Sequence, residues 1–225
     1  TILLKGPHGS SSVTRLNPSL FEHDTLQVAR DLLGRRLVRI VAGQRLSGLI
    51  VEAEAYIGED DLACHASRGR TARTQVMYGP PGRSYIYLIY GMYHCLNVVT
   101  EREDLPAAVL IRALEPQEGW ESMRRRRASR PDRELTNGPG KLCQALDIDR
   151  RLNDINLITH EELFLEEGEP VIAERIATSP RIGLNVPGTA AEAPWRVYVA
   201  GNPFVSGYKP RHKKRGTTSE VFIPP

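Results

Sequence analysis

The chain has 225 residues and a net charge of +3; 40% of its residues are hydrophobic and 25% are charged. These apolar side chains are enough to bury a core, which excludes disorder as the dominant state. The longest apolar stretch, residues 85–99, is interrupted by polar residues and is shorter than the ~20 residues that a membrane-spanning helix needs. Three cysteines cannot build a disulfide framework, so we expect a reducing, intracellular compartment.

Turn residues and hydrophobic spacing predict elements of both types along the chain. Residues 1–16 are typical of a flexible leader, and Asp24 is placed to cap a helix that ends at Gly34. The other predicted elements are a strand at Arg36–Val41, a turn at Ala42-Gly43, a strand at Leu46–Ile57, a long ordered loop at 58–84, a hairpin at 84–100, a strand at Ala107–Leu114, a helix at Gln117–Ala128, a helix from Gly140-Lys141, a strand at Trp195–Ala200 and a basic tail at 208–225. This order indicates one α+β domain over residues 17–207.

The strand at Leu46–Ile57 carries two carboxylates on one face. Because side chains alternate along a strand, Glu52, Glu54 and Tyr56 share a face. A carboxylate beside an aromatic ring can polarise a water molecule and stabilise a nearby cation. The same pattern also fits a surface strand whose carboxylates have no chemical role.

The segment between Asp61 and Glu101 contains no acidic residue, but it contains four arginines and five of the eight tyrosines. Arginines interleaved with aromatic rings favour a phosphate backbone and unstacked bases. A tyrosine-rich strand pair with its polar groups in water explains this composition equally well. Within the hairpin, Gly91-Met92 fits a two-residue turn, so that Tyr90 and Tyr93 flank the tip.

Common site motifs are incomplete or absent. Gly-Pro-Gly-Lys at 138–141 lacks the remainder of a phosphate loop, and a helix start is the simpler interpretation. The cysteines and histidines do not have the spacing of a zinc site, and no Gly-x-Ser-x-Gly motif marks a nucleophile. We therefore expect no metal and no cofactor.

Five segments, in order along the chain, carry a resemblance to one family. They are Val-Glu-Ala-Glu-Ala-Tyr-Ile-Gly at 51–58, His65 with Arg-Gly-Arg-Thr at 68–71, Met-Tyr-Gly-Pro-Pro-Gly at 77–82, the tyrosine-rich segment at 85–99 and Val-Leu-Ile-Arg-Ala-Leu-Glu-Pro at 109–116. Together they resemble the alkyladenine (3-methyladenine) DNA glycosylase family from about residue 16 to 206, and its bacterial branch more than its mammalian one. The resemblance implies a curved, mostly antiparallel β-sheet with surrounding helices and a protruding hairpin with tyrosine at its tip.

The resemblance also implies catalytic roles. Glu54 matches the general base that activates the attacking water, and Arg112 helps to hold both that water and Glu54. The backbone carbonyl of Ile182 matches a third contact to the water. Glu52 has no matched role, so we expect Glu52→Gln to be mild and to serve as a control.

The remaining site residues are implied by the same resemblance. The base pocket comprises Tyr56, Ala63, His65, Tyr87 and Asn97. Asn97 would exclude guanine by a clash with its exocyclic amine. Tyr90 would be a wedge inserted into the duplex, with Met92 beside it in the minor groove. The phosphate contacts would come from Arg68, Arg70, Arg73 and Lys141.

The implied reaction is monofunctional. Alkylated or deaminated purines (3-methyladenine, hypoxanthine and ethenoadenine) would be flipped out of duplex DNA, and hydrolysis of the N-glycosidic bond would leave an abasic site. The matched pocket motifs contain no lysine, so we expect no lyase activity. The expected partner is double-stranded DNA with damaged purines, with no membrane and no obligate protein partner. The expected state is a monomer, in the cytoplasm or nucleoid of a bacterium or the nucleus of a eukaryote.

Three alternatives stay open at this point. A catalytically silent lesion-binding module of the same fold would not need the Glu54–Arg112 pair. A glycosidase acting on RNA or free nucleosides would keep the chemistry, although free nucleosides would not need Tyr90. An RNA-associated β-rich protein would explain the basic tyrosine-rich segment but not Glu54.

Overall fold

A computed structural model describes residues 14–184, 186 and 189–207. Most of the predicted leader and the whole predicted basic tail lie outside these residues. The strands are β1 (Arg36–Val41), β2 (Gln44–Ile57), β3 (Ser84–Ile89), β4 (Tyr93–Val99), β5 (Ala107–Glu118), β6 (Leu163–Glu166), β7 (Ile176–Ser179) and β8 (Arg196–Val199). The α-helices are α1 (Thr25–Asp31), α2 (Trp120–Arg126), α3 (Pro139–Leu146) and α4 (Thr189–Glu192).

All strand pairs within the described residues are antiparallel and belong to one sheet. The order is β3-β4-β5-β2-β1-β6, and β8 pairs with both β2 and β7. The first half of β2 pairs with β1, whereas Glu52 to Glu54 lie between β5 and β8. With the surrounding helices, this arrangement confirms the predicted α+β class. None of the helices among the described residues has the length and apolar character to span a membrane.

Local sequence explains how the chain enters the sheet. The Asp24 carboxylate caps α1 by accepting hydrogen bonds from the backbone N–H groups of Leu26 at 2.9 Å and Gln27 at 3.3 Å. The chain then turns at Gly34, whose φ is +82°. A Cβ atom at this position would lie 2.0 Å from the Glu169 carbonyl oxygen, so only glycine fits. The predicted cap is therefore confirmed, whereas α1 ends at Asp31, three residues before the predicted stop.

Two apolar clusters hold the fold together. The larger cluster packs the sheet against the helices. The smaller cluster joins the loop at 58–84 to β3, β4 and β5; its buried members are Cys64, Ala66, Met77, Tyr85, Val99 and Ala108. The loop also contains two 3-10 helices, His65–Arg68 and Gln75–Tyr78. The loop is thus ordered, as predicted, and it forms one wall of the cavity described below.

The predicted helix at Gln117–Ala128 begins too early. Strand β5 continues to Glu118, which pairs with Ser47. The Glu118 carboxylate accepts hydrogen bonds from the Ser47 hydroxyl at 2.6 Å and from Arg45 Nε at 2.8 Å. Helix α2 starts only after Gly119, whose φ is +82°. Pairing within the sheet therefore outweighs local helix propensity here.

The hairpin loop has three residues, Tyr90 to Met92, instead of the predicted two, and its turn is centred one residue earlier. Ile89 pairs with Tyr93, and the Met92 N–H donates to the Ile89 carbonyl at 3.2 Å. The central residues of the turn are consequently Tyr90 and Gly91, with φ values of 53° and 67°. Positive φ at both positions suits the right-handed twist of the flanking strands. Tyr90 occupies the tip itself instead of flanking it.

Candidate active site

Glu54 is fully buried in β2, where donors from three parts of the chain meet its carboxylate. Its Oε1 accepts a hydrogen bond from the Ile182 N–H at 2.7 Å. Its Oε2 accepts one from the Tyr56 hydroxyl at 2.9 Å and one from Arg112 Nη1 at 3.1 Å. Alternation along β2 places Tyr56 on the same face, and pairing with β5 brings Arg112 within reach. Since a carboxylate offers about four acceptor positions, roughly one stays available for a water molecule.

Burial and the groups that contact Glu54 have opposite effects on the pKa of its carboxyl. Burial raises the pKa of the Glu54 carboxyl above its ordinary value, and Arg112, the Ile182 N–H and the Tyr56 hydroxyl oppose that rise. A raised pKa makes the carboxylate a stronger base. Burial and the neighbouring Glu54 also raise the pKa of Tyr56, so its hydroxyl stays protonated and donates to Glu54.

A cavity of about 370 Å³ is lined by the residues that contact Glu54, whereas Glu54 itself lies behind them and does not line it. Its volume falls in the range of roughly 300–1,000 Å³ that is typical of small-molecule sites. The three residues that contact Glu54, namely Tyr56, Arg112 and Ile182, all line it. Other lining residues with aromatic or polar side chains are His65, Tyr85, Tyr87, Tyr90, Tyr93 and Asn97. The cavity thus presents flat aromatic surfaces close to a buried carboxylate.

His65 links the loop at 58–84 to the hairpin. Its Nδ1 lies 2.8 Å from the Tyr85 hydroxyl, and its Nε2 lies 3.4 Å from an Arg73 nitrogen. Because arginine only donates, Nε2 accepts and Nδ1 carries the proton. Burial, with Arg73 and Arg68 nearby, lowers the pKa of His65 to about 4, so the ring is neutral near pH 7. Its ring meets the Tyr87 ring nearly edge-on, with 4.5 Å between centroids.

The amides near the cavity already have partners. The Asn97 side chain is buried on β4, and its Nδ2 donates to the Tyr85 carbonyl at 2.9 Å. Ala63 also lines the cavity, but its N–H donates to the Asp61 carboxylate at 3.0 Å. The Ala63 N–H is therefore not free to meet a bound base, whereas its side chain contributes to the wall.

The hairpin tip is apolar and exposed. Tyr90 is 78% exposed and Met92 is 67% exposed. Because Tyr90 and Gly91 form the centre of the turn, the Tyr90 ring stands at the end of the two paired strands. Large exposed apolar side chains of this kind mark a contact surface.

The predicted phosphate contacts differ in whether their positive charges are already paired within the protein. Arg68, Arg70 and Arg73 are exposed on the loop at 58–84. Arg70 forms an ion pair with Asp104 at 3.3 Å, and its guanidinium stacks over the Tyr78 ring. On α3, Lys141 Nζ donates to the Asn137 side chain at 2.8 Å. Arg68 and Arg73 are consequently less neutralised than Arg70.

None of the three cysteines forms a disulfide within the described residues. Each is free and buried, and burial raises the pKa of Cys64 to about 11. Thiols of this kind are poor nucleophiles. Within the described part of the chain, no group of three or more His, Cys, Asp or Glu side chains is placed to hold a metal ion.

Comparison with known proteins places this geometry in one family. The family model for methylpurine-DNA glycosylase matches residues 19–203. This chain belongs to the methylpurine-DNA glycosylase family. It is therefore a DNA glycosylase of DNA repair that acts on alkylation damage, as its resemblance predicted.

Curated relatives match the chain over a similar length. The chain is 52% identical over 191 residues to a protein of Methanocella arvoryzae named "Putative 3-methyladenine DNA glycosylase", covering 84% of this chain and 94% of the relative. It is 49% identical over 199 residues to proteins of the same name from Bacillus cereus ATCC 10987 and Bacillus anthracis CDC 684, covering 84% of this chain and 97% of each relative.

For this glycosylase, the structure gathers the predicted catalytic and pocket residues at one place. Tyr56, Ala63, His65, Tyr87 and Asn97 line the cavity, as does Tyr90. Met92 and the four predicted phosphate contacts do not line it. Arg73 nevertheless contacts His65, which does line it.

Two buried residues near the site carried no predicted role. Glu52 is fully buried, bonds Arg112 at 2.9 Å, and is not the surface carboxylate that a control requires. Arg181 forms a buried ion pair with Asp61, at 2.6 and 2.8 Å, and donates to the Ala55 carbonyl at 2.9 Å. It thereby fixes the residue before Ile182 to β2. Strand alternation placed Glu52 on the right face, but no sequence signal indicated Arg181.

Proposed function

We propose that this DNA glycosylase removes 3-methyladenine, hypoxanthine and ethenoadenine from duplex DNA by hydrolysis, after flipping the damaged nucleotide into the cavity. The observation that carries the proposal is Glu54, a buried carboxylate with one acceptor position left, beside a cavity walled by aromatic rings. Flat rings favour a planar base, most strongly a cationic one such as an alkylated purine.

The proposed reaction follows from the position of Glu54. A water molecule on the remaining acceptor position of the carboxylate would attack C1′ of the flipped nucleotide as the N-glycosidic bond breaks. The water proton would pass to Glu54, the bond electrons would leave with the base, and an abasic site would result. The carboxylate would also stabilise the oxocarbenium-like sugar. We assign the Ile182 carbonyl to the water, since the Ile182 N–H already binds Glu54.

Tyr90 is the proposed wedge. An extruded base leaves a gap in the stack, and an aromatic side chain can fill it. The support is the 78% exposure of Tyr90 at the very tip of the hairpin, with the exposed Met92 two residues away. Arg68, Arg73 and Lys141 are the proposed phosphate contacts, and Arg70 contributes less because Asp104 already pairs with it.

Two polar side chains of the cavity are proposed to select among bases. The neutral His65 ring is proposed to hydrogen-bond the base edge, and Asn97 is proposed to exclude guanine by meeting its exocyclic amine. The described residues that line the cavity include no lysine. We therefore propose a monofunctional hydrolase without lyase activity, acting as a monomer on genomic DNA inside the cell.

The test is single-turnover base release from duplexes that hold one hypoxanthine, ethenoadenine or 3-methyladenine, detected as alkali-labile sites. We expect release by the native protein and none by Glu54→Gln, which should still bind the lesion duplex. A matched control is Glu166→Gln, since Glu166 is also a buried, ion-paired carboxylate but lies on the edge strand β6. Lesion binding without release by the native protein would instead support the silent binding module.

A further inference from the structure

Glu52 is one of the most fully bonded carboxylates near the site. Its Oε1 accepts hydrogen bonds from Arg112 Nε at 2.9 Å, Arg196 Nε at 2.6 Å and the Ser206 hydroxyl at 2.6 Å. Its Oε2 accepts one from the Ser206 N–H at 2.7 Å. A carboxylate with four donors cannot turn, so it is a fixed anchor for the groups that contact it.

The group that this anchor fixes is the Arg112 guanidinium. Its Nε binds Glu52, and its Nη1 binds Glu54 at 3.1 Å. The planar guanidinium is therefore held from both ends, and its orientation against Glu54 depends on Glu52. Without Glu52, Arg112 would keep one carboxylate contact and could rotate about it.

We propose that Glu52 is a positioning residue of the glycosylase reaction, which holds Arg112 against Glu54 and balances the charge around it. The inference rests on the proposed role of Glu54 as the base. Glu52 itself is fully buried behind the site, so it acts through Arg112 and not by touching the base or the water.

The charges around Glu54 predict in which direction each substitution shifts the protonation of Glu54. The titratable and charged side chains around Glu54 are Glu52, Tyr56, Cys95, Arg112, Arg181 and Arg196. Burial raises the pKa of both Tyr56 and Cys95, so they stay neutral, and Arg181 is neutralised by Asp61. The charges that remain around the site are those of two carboxylates, Glu52 and Glu54, and two arginines, Arg112 and Arg196. Loss of the Glu52 charge would favour ionised Glu54, whereas loss of the Arg196 charge would favour protonated Glu54.

The experiment measures single-turnover base release against pH, with duplex binding and thermal stability, for Glu52→Gln and Arg196→Gln. We expect Glu52→Gln to slow release by up to roughly 100-fold, through the misplaced Arg112, while duplex binding is unchanged. The acid limb of its pH profile, where release falls as Glu54 takes up a proton, should move to lower pH, because Arg112 keeps its contact with Glu54 while the Glu52 charge is lost. For Arg196→Gln the acid limb should move to higher pH.

Glu166→Gln is the matched control, because it removes a buried, ion-paired carboxylate at the edge of the sheet. We expect it to lower stability without moving the rate or the acid limb. If Glu52→Gln loses only stability, or if both cluster variants move the limb in the same direction, the proposal is wrong. If Glu52→Gln does not fold, an unmoved limb in Arg196→Gln overturns it. Absence of base release by the native protein would instead refute the proposed function.

Discussion

Tyr56→Phe isolates one hydrogen bond of the proposed base. The substitution keeps the aromatic ring that lines the cavity and deletes only the hydroxyl that donates to Glu54 Oε2 at 2.9 Å. Stacking of a flipped base should persist, and lesion binding with it. The change therefore acts on the chemistry of Glu54 and not on recognition of the base.

The size and sign follow from the lost contact. A hydrogen bond to a charged group contributes about 1.5–3 kcal/mol. Its loss disfavours the ionised carboxylate and raises the pKa of Glu54 further, because the hydroxyl stabilises only that form. Since the proposed reaction needs ionised Glu54, the acid limb should move to higher pH. At a pH below that limb, release should fall by about 10- to 100-fold, with little change on the alkaline side.

The assay is single-turnover release from a hypoxanthine duplex, with enzyme in excess, between about pH 5 and 9. Tyr78→Phe is the matched control, because its hydroxyl also donates to a carboxylate, that of Glu59 at 2.5 Å, but Tyr78 does not line the cavity. An acid limb that stays in place in Tyr56→Phe, or one that moves equally in Tyr78→Phe, would refute the assignment of Glu54 as the titrating base.

Three further predictions concern stability and binding. Arg181→Met leaves Asp61 buried without its partner, so unfolding in urea should show a loss of about 3–5 kcal/mol; an unchanged midpoint would contradict a structural ion pair. The folded pKa of His65, about 4, lies below its ordinary 6.5, so the unfolded state takes up the proton first and stability is lost as pH falls from about 6.5 towards 4; His65→Gln should lose less stability over that window. Tyr90→Ala should weaken binding to a lesion in duplex far more than in single strand, whereas Leu88→Ala, 40% exposed on the same hairpin, should weaken neither; equal losses in both substrates would exclude the wedge.

Short-range patterns predicted much of the fold. The first strand was predicted with the bounds that the structure gives, and the helix cap at Asp24 follows from one side chain and the next two backbone amides. Strands β6 and β7 were not predicted, because each has only four residues. Such short segments carry too little alternation to identify a strand, and they depend on pairing with β1 and β8.

The hairpin shows why a turn can be misplaced by one residue. A two-residue turn at Gly91-Met92 would pair Tyr90 with Tyr93. Instead Ile89 pairs with Tyr93, which leaves three residues in the loop and puts the cavity-lining side chains of β3 and β4 opposite one another. Burial on one face therefore determines the register, and it places Tyr90 in a left-handed conformation that tyrosine rarely adopts.

The candidate site depends both on the alternation of side chains along β2 and on residues that are far from β2 in the sequence. Alternation placed Glu52, Glu54 and Tyr56 on one face, but Arg196 is 144 residues and Ser206 is 154 residues from Glu52. In its second half β2 has neighbours on both edges, β5 and β8, and the side chains of both carboxylates are fully buried. A buried carboxylate without a partner costs several kcal/mol, and the same two neighbours supply Arg112 and Arg196. The pairing that buries Glu52 and Glu54 thus also provides the arginines that make their burial tolerable, which is why the role of Glu52 could not be inferred from β2 alone.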